Sequence, residues 1–179
     1  MAKKKVKTKI NFIYLMITLI AGALSFVSLA FNFIGNHASG GVLGNTATKT
    51  GTMNLGEWFD FTSKFGELNG IASWQVANIF LIITLVLIGL VIIGILVNLF
   101  FKNKIFSNVL KIVSILAGAT AIVFFITIIT GSSALSSSAG DMGVIGVSSK
   151  YYPSVAPYLI TLFTLCTVVF SFLTLRKSK

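Results

Sequence analysis

From Leu68 to Phe101 the chain carries no ionisable residue. A stretch of that length cannot be kept in water, and in lipid every backbone amide must be paired within its own segment, which leaves the helix as the economical structure. Three more runs approach or exceed the roughly 20 apolar residues that a membrane span requires. The spans are predicted at about residues 10–34, 76–101, 112–130 and 154–175. Composition agrees: 10% of the 179 residues are charged, against about 25% in a soluble domain. The expected fold is therefore an all-α integral membrane protein, a single four-helix domain over residues 1–179 arranged up and down. Residues 35–75 and 131–153 form its extracytoplasmic loops and a small cap, and residues 102–111 a cytoplasmic connection.

Charge sets the orientation. Eleven of the fourteen basic residues lie in "MAKKKVKTK", in the 102–111 connection and in the tail "RKSK", with no acid among them. Lys49, Lys64 and Lys150 share the other side with all four acids. The positive-inside rule puts both termini in the cytoplasm. The net charge of +10 is thus a topology signal, and short juxtamembrane lysine runs suit anionic lipid headgroups rather than nucleic acid. The first apolar run spans about 25 residues, too long for a signal-peptide core of about 7–15, so it is expected to remain as a helix.

Small residues recur four apart in two of the spans: Ala21 and Ser25, Ser114 and Gly118, Ala117 and Ala121. That spacing lets helix backbones approach closely where lipid offers no hydrophobic drive, and predicts that the first and third helices pack together. Ala21-Gly22-Ala23 also superposes on Ala117-Gly118-Ala119 when residues 16–35 are aligned with 112–131. A parallel duplication would produce this echo, and so would the small alphabet of apolar helices.

Catalytic chemistry has little to work with. No Asp, Glu, Lys, Arg or His falls inside the hydrocarbon part of a predicted span, where transporters and intramembrane enzymes place such groups. His37 is the sole histidine and Cys166 the sole cysteine, so a serine nucleophile would lack a choice of base, and no intrachain disulfide exists. The expectation is a non-enzyme without cofactor or metal.

The polar chemistry gathers instead in "GEWFDFTSKFGELNG", residues 56–70, which holds three of the four acids. Leu55, Trp58, Phe61, Phe65 and Leu68 recur at spacings of three and four, one face of a helix. Glu57, Asp60, Lys64 and Glu67 lie mostly off that face. A strand reading competes, since "VLGNTATKTGTMNLGEWFDFTS" suits a short β-meander that "GVIGVSSKYY" would join. Under either reading, aromatic anchors within an acidic rim are the composition of a binding patch. Glu57, Trp58, Asp60, Phe61, Phe65 and Glu67 are the candidate partner-binding residues.

A strand-rich first loop, a shorter second loop and four spans resemble the claudin-like (peripheral-myelin-protein-like) tetraspans, whose first loop carries a Gly-Leu-Trp signature followed by two cysteines. Here Gly56-Glu57-Trp58 follows Leu55, and no cysteine follows in the loop. The resemblance implies a scaffold or adhesion role. The leading expectation is thus a structural or binding protein whose cap meets a membrane protein, a cell-surface component or another copy of itself. The alternative is a small transporter or channel component, a pore-forming oligomer or accessory subunit, for which the spans offer only hydroxyls such as Ser114, Thr120 and Thr164. Thirteen lysines to one arginine, with abundant Ile, Phe and Asn, suit an AT-rich genome and a bacterial plasma membrane.

Overall fold

The computed structural model describes residues 2–42, 45–65, 70–101, 104–141 and 147–176. In chain order these form α1 (Ala2–Val27), a 3-10 turn (Ser28–Ala30), β1 (Ile34–Val42), β2 (Asn45–Met53), α2 (Leu55–Lys64), α3 (Ile71–Phe101), α4 (Lys104–Asp141), β3 (Val147–Pro153) and α5 (Val155–Arg176). Four of the helices, α1, α3, α4 and α5, are long and apolar enough to cross a membrane.

The element boundaries depart from the sequence reading in informative ways. α1 stops at Val27, so residues 31–34 leave the first predicted span. Phe33 donates its backbone N–H to the Met53 carbonyl and accepts from Ser154, and both Phe33 and Ile34 are fully buried. Their burial at the foot of a sheet outweighs continuation of the apolar helix. α3 opens at Ile71, five residues earlier than expected, because Ile71 and Trp74 are both core residues. α4 continues to Asp141, through the serine run expected to be loop. Its hydroxyls fold back on the helix: Ser132 donates to the Ile128 carbonyl at 2.7 Å and Ser136 to that of Ser132 at 2.8 Å. Ser132 and Leu135 are buried, so a stretch that reads as polar linker has a packed face. The 104–111 part of the expected connection is helical as well.

The chain divides into two compact units. The first comprises Met1–Val27, Leu81–Ile122 and Ile160–Lys179. Its core joins Leu15 of α1, Val91 and Ile95 of α3, Leu110 of α4 and Leu175 of α5, flanked by Leu19, Phe106 and Val113. Ala21, Ser25, Ser114, Ala117, Gly118 and Ala121 are all buried here. Their partners differ from the expected pairing of the first and third helices. A Cβ on Gly118 would stand 3.3 Å from Val168 of α5, and Ser171 of α5 donates to Ser114 at 2.9 Å. Gly22 of α1 lies instead against Ile92 and Ile88 of α3. Gly118 and Gly22 mark close approaches, but spacing on one helix does not identify the neighbour.

The second unit comprises Ser28–Phe80 and Val123–Leu159. It holds a three-stranded antiparallel sheet in the order β2-β1-β3. Both predicted loops contribute, the first a hairpin and the second a single strand that completes the other side of β1. The two readings of the first loop are thus each right for part of it: strand over 45–53 and helix over 55–64, with a further strand over 34–42. Asn54 divides them. Its side chain accepts from the Glu57 N–H at 3.0 Å while Glu57 Oε2 accepts from the Asn54 N–H at 2.8 Å, a reciprocal capping box that starts α2.

Candidate functional site

Trp58 is the most completely enclosed of the predicted partner-binding residues, with 0% of its surface exposed. It stacks on Phe33, ring centroids 5.3 Å apart and planes 17° from parallel, and leans on Phe59. Phe61 is half-buried and packs on Trp74 at 6.0 Å and on Phe65 at 4.8 Å. Trp74 in turn meets Tyr151 of β3 edge-on and donates its indole N–H to the Ile128 carbonyl at 3.3 Å. This aromatic chain, Phe33–Trp58 on one side and Phe65–Phe61–Trp74–Tyr151 on the other, is the interior of the cap formed by α2 and the sheet. Trp58 is therefore not a partner-facing anchor. It is a core residue, because the helical face expected to meet a partner meets the protein's own first strand.

The acids of the segment have local work. Glu57 completes the capping box described above. Asp60 accepts from Lys64 Nζ at 2.7 Å, one helical turn on, with both side chains well exposed; such a pair contributes only ~0.3–0.5 kcal/mol. Glu67, and Leu68 of the predicted apolar face, lie outside the described residues. Phe65 stays 47% exposed, so within the described segment Glu57, Asp60 and Phe65 reach the surface while Trp58 and Phe61 position them. A polar clasp fixes α2 to α3. Thr62 Oγ1 accepts from Asn78 Nδ2 at 2.8 Å and donates to the Phe59 carbonyl, and Gln75 Nε2 donates to the Thr62 carbonyl at 3.1 Å.

The surface left uncovered belongs to the sheet. Successive residues of a strand point to opposite faces, and cross-strand register sorts them into rows. One face carries the rows Thr52–Gly35–Tyr152, Thr50–His37–Lys150 and Thr48–Ser39–Ser148. Ser39 and Ser148 share a hydrogen bond at 2.8 Å, which fixes the sidedness of all three rows. Thr48, Thr50, Thr52, Ser148, Lys150 and Tyr152 are exposed, whereas Tyr151 and Pro153 of the opposite face are half-buried. No acid occurs in any of the three strands. Gly35 has a specific purpose here. A Cβ at that position would overlap the Tyr152 ring, so glycine lets the ring approach the backbone of the central strand. These rows were missed in the sequence, although the alternating threonines of "NTATKTGTM" carried the signal, because opposite-face sorting needs the register.

No protein-family model matches this sequence, and no curated protein matches it.

Proposed function

We propose that the protein is a non-enzymatic membrane protein of the bacterial plasma membrane, with cytoplasmic termini, whose outward cap displays a binding surface. One observation carries this reading. The cap buries both of its tryptophans, Trp58 and Trp74, internally, and leaves a three-stranded polar face uncovered. An inert loop of serine and glycine would need no such core. Glu57 and Asp60 of α2 and Phe65 at its end are exposed and remain candidate partner contacts in their own right, with Glu67 outside the described residues.

The layout supports the claudin-like resemblance. The strand-rich first loop is completed by one strand from the shorter second loop, which gives a scaffold role a rigid platform. Gly56-Glu57-Trp58 contributes to the helix and core of that platform rather than to its surface. The transport alternative gains less. Ser114 and Thr120 are engaged, with Ser171 and Thr84 respectively, so these hydroxyls serve helix packing. Thr164 alone of the three is buried without a partner.

The test is a photo-crosslinker attached to a single cysteine at Thr50, in a Cys166→Ala background on intact cells. A saturable adduct at Thr50, with none from Leu162 on the apolar surface of α5, is expected. Failure to form any adduct at Thr50 would remove the display role.

A further inference from the structure

The uncovered face of the sheet has a chemistry that selects among partners. We infer that it binds an acidic polysaccharide, and this rests on the display role proposed above. Three features meet there. Hydroxyls of Thr48, Thr50, Thr52, Ser39 and Ser148 form a two-dimensional array, each able to donate and accept. Side chains repeat at about 6.8 Å along each strand and about 4.8 Å between strands, a grid of hydrogen-bonding groups suited to a ligand made of hydroxyls. Next, the Tyr152 ring packs close to Gly35 and 45% of Tyr152 is still open. An exposed aromatic ring held at the sheet surface offers an apolar platform for the C–H face of a sugar ring, while its O–H remains a polar handle.

The third feature decides the charge of the ligand. Lys150 stands two residues from Tyr152 on β3, opposite His37 in the middle row. With no acid on any of the three strands, the face has Lys150 as its exposed cation and no carboxylate from its own strands to compete for it. Hydrogen bonds to an ionised partner are roughly twice as strong as neutral ones, so a carboxylate or sulfate on the sugar would be held at Lys150 while the ring stacks on Tyr152. A protein partner fits less well, because hot spots in protein interfaces are desolvated aromatic and arginine anchors in pockets, and this face is mainly hydroxylated.

The experiment uses the full chain in detergent, with fluorescent hyaluronate as the carboxylate probe, dextran sulfate as the sulfate probe and uncharged dextran as the neutral one. At least one acidic probe is expected to bind and neutral dextran not to. Lys150→Gln, at an exposed position, should weaken that binding roughly tenfold, the effect of losing one charged hydrogen bond. Tyr152→Phe should retain most of it and Tyr152→Ala should not. Replacing Lys3, Lys4 and Lys5 by glutamine should leave it unchanged. Equal binding by the parent and Lys150→Gln, or loss through the amino-terminal lysines, would overturn the assignment. Absence of acidic-glycan binding while Thr50 still forms its adduct overturns the ligand class alone; absence of both overturns the display role with it.

Discussion

Trp58 shows how far a single side chain's meaning depends on what surrounds it. As sequence it is an aromatic beside two acids; in the fold it is fully buried on Phe33. Truncation to alanine is expected to cost ~3–5 kcal/mol, the range for a large aromatic removed from a core. Trp58→Phe should cost clearly less, because the stack survives and the indole N–H it removes is buried without an acceptor, an arrangement that is itself unfavourable. Phe65→Ala, at an exposed position, should fall within about 1 kcal/mol of the parent. Thermal unfolding of the three variants in one detergent, followed by intrinsic fluorescence or by proteolysis of the cap, gives the order. Equal loss for Trp58→Ala and Phe65→Ala would contradict the buried placement.

The helices and strands are decided by their ends and by their closest contacts. α2 exists because Asn54 and Glu57 close a reciprocal cap immediately after a strand. Asn54→Ala should destabilise it by ~0.5–2 kcal/mol, whereas Glu57→Gln preserves the reach of the cap and should cost little. Hydrogen exchange of the α2 amides measures both. Asp60→Asn removes an exposed pair and should leave α2 nearly unchanged, so the two acids separate by function although they sit three residues apart. In the first unit, Gly118 faces Val168 of α5 at near-contact distance, while Ile122 is 46% exposed. Gly118→Leu is therefore expected to lower the melting temperature in detergent well below that of Ile122→Leu. Matching temperatures would mean that the Ser114–Gly118 face is not a site of close approach.

At the scale of the whole molecule the testable property is orientation. Single cysteines at Thr46 and Ser137, again in a Cys166→Ala background, should react with an impermeant thiol reagent on intact cells, and one at Asn103 should react only after permeabilisation. The asymmetry of eleven basic residues against three is the physical motive, since short cationic loops resist transfer across the membrane. Labelling at Asn103 in intact cells would invert the arrangement, turn the sheet toward the cytoplasm and remove the surface role.

The sequence by itself determined the four long apolar helices, because an uninterrupted run of hydrocarbon side chains leaves the backbone one way to pair its own amides. It did not determine which small residues would be buried: Ala21 and Ala117 are enclosed while Ala23 and Ala119 of the same runs are exposed, because burial depends on the neighbouring helix and not on side-chain volume alone. Partners, boundaries and exposure were decided by the tertiary structure. The neighbour of Gly118 proved to be α5; the serine run after Thr130 stayed helical, with Ser132 and Leu135 buried and its hydroxyls satisfied on the helix's own carbonyls; and the aromatic face of α2 turned inward. The binding candidates moved for the same reason. His37 and Lys150 lie in different loops and become one surface only when β3 pairs with β1, a register that no local pattern in either loop encodes.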